Sequence, residues 1–229
     1  MCCEIHEKTV SCVRSVPVFK GLNQDEVNDL GQVVKSRTFT KGDYIFREGD
    51  LSDCLVVVHK GTIKVSKFSD EGKEQILRIL FPGDFFGQYS LLENKKHYAD
   101  AEVLEDTTVC LLHKNDFKLI LERNPGMAMN FMMALSELLQ MADEWIGTIS
   151  LLEVERRLAK ALLLFFEKEN EKEFFMLPVP KKDFASLIGA TPETLSRKLV
   201  HLQSIQVLEL DGRRGIRLLD IEKLKEIAG

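Results

Sequence analysis

Residues 125–152 read PGMAMNFMMALSELLQMADEWIGTISLL, and this stretch decides how the rest of the chain is organised. Apolar residues recur in it at alternating steps of four and three residues, which is a heptad pattern with a period of about 3.5. Such a pattern predicts a helix that packs lengthwise against another helix. The heptad row consists of Phe131, Leu135, Leu138, Ala142, Trp145, Ile149 and Leu152.

The ends and the length of this helix favour a dimer over a buried core helix. Asn124 can cap its start, and Pro125 suits the first helical position. At about 1.5 Å per residue the helix would span roughly 40 Å, which is more than one small domain needs. We predict that the heptad row joins two copies of the chain as a homodimer. A neighbouring row, Met132, Leu139 and Ile146, would then face the helix's own domain.

Length and composition indicate a soluble protein of two modest domains. The chain has 229 residues, of which 45% are hydrophobic and 29% are charged. It contains no apolar run of about 18 residues, so we expect no membrane span. The first ten residues, MCCEIHEKTV, lack the hydrophobic core of a signal peptide, which predicts a cytoplasmic protein.

Charge is divided unevenly between the two parts of the chain. From Arg156 onward there are 14 Lys and Arg against 11 Asp and Glu, whereas residues 1–155 carry 17 against 25. An acidic front and a mildly basic back are typical of a sensing domain joined to a nucleic-acid-binding domain.

The residues before the long helix predict a cysteine-bearing arm over residues 1–16 and a sensory β-barrel over residues 17–124. From residue 37 to about residue 112 the apolar period is two, and short strand-like runs alternate with glycines. Several short strands with regular glycine punctuation are typical of a jelly roll rather than of a parallel sheet.

The residues after the dimerisation helix (125–152) predict a winged helix-turn-helix over residues 153–229. A helical pattern, a tight turn at Gly189 and Ala190, and a second helix follow one another with helix-turn-helix spacing. Thr191 is placed to cap the second helix and Pro192 to open it. The run VLELDGRRGIRLL then predicts a hairpin that forms the wing. The predicted fold class is therefore α+β.

The second helix of this motif carries the residues that we predict to read DNA. Glu193, Ser196 and Arg197 share one exposed face at i, i+3 and i+4, near the helix end that enters a major groove. Arg197 can bind guanine through two hydrogen bonds, and Glu193 can accept one from cytosine. The alternative is a Glu–Arg pair that only stabilises a surface helix. The remaining predicted DNA contacts are Thr191, Lys198, Lys181, Lys182, Arg213 and Arg214.

The order of these parts resembles the CRP/FNR family of bacterial transcription regulators. The motifs that carry the resemblance are EGKEQILRILFPGDFFGQYSLL at 71–92 and GATPETLSRKLVHLQ at 189–203. The resemblance implies a dimer that binds double-stranded DNA at a palindrome similar to TTGAT-N4-ATCAA. It also implies RNA polymerase as a partner if the protein is an activator.

The cyclic-nucleotide branch of the family resembles this chain less well at its phosphate-binding segment. That branch has a glutamate for the ribose and an Arg-Ser or Arg-Thr pair for the phosphate. Here Gln88 stands at the first position and His97-Tyr98 at the second. Loss of the arginine removes the strongest charge-assisted bonds to a phosphate, so we do not expect cyclic-nucleotide binding.

The cysteines suggest how such a regulator could sense its signal. FNR-like proteins of lactic acid bacteria, a subgroup that this chain resembles better than FNR itself, pair one N-terminal cysteine with a barrel cysteine as a reversible disulfide, which implies Cys12 with Cys110. FNR itself holds a [4Fe-4S] cluster with three N-terminal cysteines and the barrel cysteine. That alternative would use Cys2, Cys3 and Cys12, whose spacing differs from the C-x2-C-x5-C of FNR.

A third alternative is a small-ligand-responsive regulator in which the cysteines are structural. Apart from the cluster alternative, the sequence predicts no cofactor and no metal site. It contains no credible nucleophile elbow, P-loop or paired-carboxylate site, so we do not expect an enzyme.

Overall fold

The computed structural model describes residues 19, 24–51, 53–93 and 95–229. These residues form two compact units. One comprises the described residues up to Lys67 together with Leu77–Gln140, and the other comprises Phe68–Ile76 and Met141–Gly229. The long helix contributes to both units. The predicted domain boundaries at residues 16, 124 and 152 stay a prediction.

The first unit consists of short antiparallel strands with flanking helices. In chain order the elements up to the end of the long helix are α1 (Gln24–Val33), β1 (Lys35–Phe39), β2 (Tyr44–Phe46), β3 (Cys54–Lys60), β4 (Ile63–Phe68), β5 (Glu74–Leu80), β6 (Phe85–Phe86), α2 (Gln88–Glu93), β7 (Asp100–Val103), β8 (Thr107–His113), α3 (Lys114–Arg123) and α4 (Pro125–Leu151). The strands form two four-stranded sheets, in the orders β1-β8-β3-β6 and β2-β7-β4-β5. This arrangement confirms the predicted jelly roll.

The central strands of the first sheet are apolar on both faces, because a different core covers each face. In β3, Val56 and Val58 pack into the core between the two sheets. Leu55 and Val57 point the other way, into a core that the strands share with α1, α3 and α4. Burial on both faces explains why the run LVVV does not alternate with polar residues.

The hairpin between β4 and β5 turns at the stretch SDEG, residues 69–72. Gly72 has a φ of 77°, a left-handed conformation that side chains other than glycine rarely adopt. Its amide donates to the Ser69 carbonyl at 2.8 Å, and the Ser69 amide donates to the Lys73 carbonyl at 3.0 Å. The local sequence therefore fixes this turn.

The long helix α4 begins as the sequence predicts but turns a different face to its own domain. The Met127 amide donates to Asn124 Oδ1 at 3.0 Å, so Asn124 caps the helix. Phe131 lies in the core of the first unit, with its ring centroid 4.9 Å from that of Phe117 and 6.0 Å from that of Phe85. This burial corrects our assignment of Phe131 to a surface between two chains.

The rest of the predicted heptad row divides into three kinds of position. Leu135 and Leu138 are partly buried against the same core as Phe131. Ala142 is exposed, whereas Trp145, Ile149 and Leu152 are half-buried. The row that we expected to face inward is exposed instead, with fractional exposures of 55% for Met132, 64% for Leu139 and 63% for Ile146. The two rows have the same period, so periodicity alone did not distinguish them.

The second unit is built around three short strands and four helices that follow α4. These are α5 (Val154–Lys168), β9 (Phe174–Met176), α6 (Lys181–Leu187), α7 (Pro192–Ser204), β10 (Leu208–Asp211), β11 (Gly215–Leu218) and α8 (Ile221–Ala228). The strands pair in the order β10-β11-β9. The helix pair α6–α7 and the β10–β11 hairpin confirm the predicted winged helix-turn-helix. Within the described ranges, no helix is both long and apolar enough to cross a membrane.

The core of the second unit fixes the positions of α6 and α7. Leu195 and Leu199 on α7, and Phe184 and Ala185 on α6, are completely buried. The Ala190 amide donates to the Ala185 carbonyl at 2.9 Å, which closes the turn between the two helices. Ala185, a small residue, leaves room for the two helices to pack closely at this turn.

Candidate nucleic-acid interface and cysteine site

The start of α7 has the cap that the sequence predicts. Thr191 Oγ1 accepts a hydrogen bond from the Thr194 amide at 3.2 Å, and Pro192 occupies the first helical turn. An N-cap hydroxyl satisfies one of the amides that have no partner within the helix. With Leu195 and Leu199 in the core, the orientation of the helix about its own axis is fixed.

That orientation leaves the three predicted reading residues on the surface. Glu193, Ser196 and Arg197 are all exposed. A hydrogen bond at its own backbone amide, then the Thr191 side chain, lower the pKa of the Glu193 carboxyl, and the charge of Arg197 acts in the same direction. Glu193 is therefore an anionic acceptor and Arg197 a cationic donor on one helix face.

The predicted phosphate contacts lie on three elements of the same unit. Lys181 is half-buried and Lys182 is exposed, both at the start of α6. Arg213 is exposed and Arg214 half-buried in the turn of the wing. The Arg214 carbonyl accepts from the Leu177 amide at 2.8 Å, which ties the wing turn to the segment after β9.

Lys198 has a different environment from the one we predicted. Its Nζ lies 3.2 Å from Glu155 Oε2 on α5. The side chains of Lys198 and Glu155 are 35% and 22% exposed, so this ion pair is partly shielded from solvent. The pair turns Lys198 towards its own chain, and we leave it out of the proposed DNA contacts.

Arg157 is a second residue of α5, after Glu155, whose contact with the helix-turn-helix the sequence did not predict. Arg157 Nη1 donates to the Ile188 carbonyl at 2.9 Å and to the Gly189 carbonyl at 3.3 Å, both in the turn before α7. Arg157 precedes the helix-turn-helix by more than twenty residues, and nothing in its local sequence signals this contact.

The predicted barrel cysteine lies in the middle of β8. Cys110 pairs in register with Ser36 on β1 and with Val57 on β3, and it is only 4% exposed. Cys12, Cys2 and Cys3, its predicted and alternative partners, lie outside the described residues.

Cys54 lies at the start of β3 and is not part of a disulfide. Its Sγ donates to Asp53 Oδ1 at 3.3 Å. Burial, followed by the hydrogen bond to Asp53 and the charge of Asp53, raises the pKa of this thiol to about 11. Because the thiolate is the reactive form, Cys54 is unreactive near neutral pH.

His113 Nε2 lies 2.7 Å from Asp53 Oδ2. No cluster of three metal-ligating side chains occurs in the part of the chain that the structure describes.

The two positions that differ from the cyclic-nucleotide pattern are both occupied by shielded polar side chains. Gln88 Oε1 is buried without a hydrogen-bond partner. His97 is 3% exposed, and its ring stacks on Phe46 with the centroids 3.7 Å apart. Burial lowers the pKa of His97. A neutral, stacked imidazole therefore stands where that branch has a cationic arginine.

A jelly-roll domain, a long connecting helix and a capped helix-turn-helix with a wing together define a DNA-binding transcription regulator. Residues 36–124 match the family described as "Cyclic nucleotide-binding domain", and residues 156–227 match the family described as "Crp-like helix-turn-helix domain". The chain belongs to the CRP/FNR family of transcription regulators.

Individual relatives agree with this assignment. The chain is 31% identical to the cyclic AMP receptor protein of Thermus thermophilus, over 94% of this chain and 98% of that protein. It is 28% identical to the probable transcriptional regulator flp of Lacticaseibacillus casei, over 95% of this chain and 98% of that protein. The structure of FixK2 from Bradyrhizobium japonicum superposes with a TM-score of 0.79 at 24% identity, over 86% of this chain and 98% of that one. The FixK2 structure supports the fold alone. The matched helix-turn-helix family and the two relatives named before it make the chain a transcription regulator rather than an enzyme.

Proposed function

We propose that the protein is a homodimeric regulator that reads a palindrome similar to TTGAT-N4-ATCAA through α7. The observation that carries the proposal is the exposed face of Glu193, Ser196 and Arg197 on a capped helix anchored in the core. Lys182 precedes α7 in the chain and Arg213 follows it. Both are exposed, and both supply contacts to DNA phosphates. If the protein activates transcription, RNA polymerase is its further partner.

The proposed dimer uses the exposed row of α4 rather than the row in the core. Met132, Leu139 and Ile146 are seven residues apart and more than half exposed. Three apolar side chains at this spacing on a helix of 27 residues suit parallel packing against a second copy of the same helix. A two-fold axis along α4 would present two α7 helices to the two halves of a palindrome.

We further propose that the signal is redox-dependent and acts through a Cys12–Cys110 disulfide. The position of Cys110, buried in the middle of β8, supports this proposal. Its side chain shares a core with Met127, Phe131 and Ala134 of α4. Because packed cores transmit small shifts, formation or reduction of the bond is placed to bias the position of the dimerisation helix.

The two alternatives, a [4Fe-4S] cluster and a bound cyclic nucleotide, each depend on the state of one residue. A [4Fe-4S] cluster needs Cys110 as a thiolate, which a disulfide removes. A cyclic nucleotide needs a cation for its phosphate, whereas His97 is buried and its pKa is lowered. One similar protein is the cyclic AMP receptor protein of Thermus thermophilus, so binding of cyclic AMP to the purified protein is the direct test of this second alternative.

The decisive experiment compares two labelled duplexes of equal length and base composition. One contains the inverted repeat, and in the other the half-sites are scrambled. We expect the inverted repeat to bind more tightly by about 10³-fold or more in fluorescence anisotropy at physiological salt, with two chains per duplex. Equal affinity for both duplexes, or a stoichiometry of one chain per duplex, would contradict the proposal.

A further inference from the structure

The first turn of α5 contacts both the turn before α7 and the side of α7. Neither contact was expected from the sequence. The first is the pair of hydrogen bonds from Arg157 to the carbonyls of Ile188 and Gly189, at 2.9 and 3.3 Å. The carbonyls at the end of a helix have no partner within it, and a cationic side chain is well suited to bind them. Gly189 lies two residues before Thr191, the N-cap of α7.

Gly189 is fitted to this contact. It has a φ of 62°, and a Cβ at this position would lie 3.0 Å from Arg157 Nη1. A side chain here would both strain the backbone and displace the guanidinium. The turn and Arg157 therefore form one structure that determines where α7 begins.

The second contact lies along the side of α7. Glu155 Oε2 is 3.2 Å from Lys198 Nζ, which donates a hydrogen bond to it. Glu155 Oε1 lies 3.4 Å from His201 Nε2 without a hydrogen bond between them. Lys198 and His201 are three residues apart and therefore share a face of the helix. Lys198 follows Arg197 directly, so this ion pair restrains the rotation of the helix next to the residue that we propose to read guanine.

We infer that Arg157 and Glu155 are positioning residues for base reading: they hold α7 in register without touching DNA. The inference rests on the proposed reading role of α7. Binding groups must be held within about 0.5 Å and 10–20° of their working geometry. Arg157 fixes the start of the helix and Glu155 fixes its rotation, so loss of either should reduce discrimination between bases more than it reduces attraction to phosphates.

The test compares Arg157→Met with Arg156→Met, which removes the same charge from the neighbouring exposed position. We expect Arg157→Met to weaken binding to the inverted repeat about tenfold, the usual worth of a hydrogen bond to a charged group, and binding to scrambled DNA by less than twofold. Arg156→Met should change neither. Equal losses on the two duplexes would make Arg157 a phosphate contact and overturn the inference.

A double-mutant cycle separates positioning from simple stabilisation. If Arg157 acts through the reading helix, Arg157→Met should cause no further loss of base discrimination at the Arg197 guanine once Arg197→Ala is present. Additive losses, or a lower Tm with unchanged discrimination, would show a merely structural role. If Arg157→Met does not fold, Glu155→Gln serves in the same cycle. A failure of Arg197→Ala itself to alter base preference would instead contradict the proposed function.

Discussion

At the scale of single residues, base reading depends on one guanidinium. Arg197 is exposed next to two completely buried leucines, so its backbone is fixed while its side chain remains available. A guanidinium can donate two parallel hydrogen bonds to guanine O6 and N7, a geometry that lysine does not reproduce. The specificity of the protein should therefore be concentrated at the base pair that Arg197 contacts.

Replacing Arg197 by alanine should cost about 1–3 kcal/mol at its guanine and relax the preference for that base pair. The measurement is anisotropy with a set of duplexes that carry each of the four base pairs at this position. Lys182→Ala is the matched control, because a phosphate contact should weaken all four duplexes alike and reduce the salt dependence. An equal loss on all four duplexes for Arg197→Ala would show that this residue, too, contacts only phosphate.

The residue scale also shows what local sequence can and cannot predict. Thr191, Pro192 and Asn124 were assigned correctly because a helix cap depends on residues within one turn of chain. Arg157 and Glu155 were missed because their partners lie more than thirty residues away. Lys198 was predicted to contact DNA for the same reason, because its neighbours in the sequence give no sign of its ion pair with Glu155.

At the scale of an element, α4 carries two apolar rows that differ in how deeply they are buried. One row holds Phe131, which is 3% exposed in the core of the first unit. The other holds Leu139, which is 64% exposed. Exposed apolar side chains in a line are typical of a surface that a partner covers.

A charge at the centre of the exposed row should separate the dimer without unfolding the chain. We expect Leu139→Glu to sediment as a single chain with a near-native circular dichroism spectrum. The comparison variant is Phe131→Ala, which removes a buried aromatic ring and should destabilise folding by about 3–5 kcal/mol. A folded Phe131→Ala monomer, together with a dimeric Leu139→Glu, would show that our original assignment of the heptad row was right.

This helix also marks the limit of pattern reading at the element scale. Steps of three and four residues predicted correctly that a helix would run from Pro125 to about Leu152. They could not say which row faces the core, because Met132, Leu139 and Ile146 repeat with the same period. The row that faces the core is determined by tertiary partners, the rings of Phe85 and Phe117, which lie on other elements of the chain.

At the scale of the whole molecule, a sensor must connect its chemistry to DNA affinity. Cys110 is buried in the same core as the first half of α4. A coupling between two states of such a core typically changes affinity by about 5- to 150-fold. The overall fold followed from the sequence, whereas the signal did not, because in the redox proposal it depends on which distant cysteine meets Cys110.

The redox proposal predicts that operator affinity differs at least about fivefold between protein treated with diamide and protein treated with dithiothreitol. Cys12→Ser should remove that difference, because one half of the proposed bond is missing. Cys54→Ser is the matched control and should respond like the wild type, since the pKa of Cys54 is raised to about 11 and its thiol stays protonated. A Cys12→Ser protein that still responds would reject this pairing.

The iron–sulfur cluster is tested by purifying the protein without air. Bound iron that is lost in air, together with four thiols that are protected while the iron is bound, would favour the cluster instead.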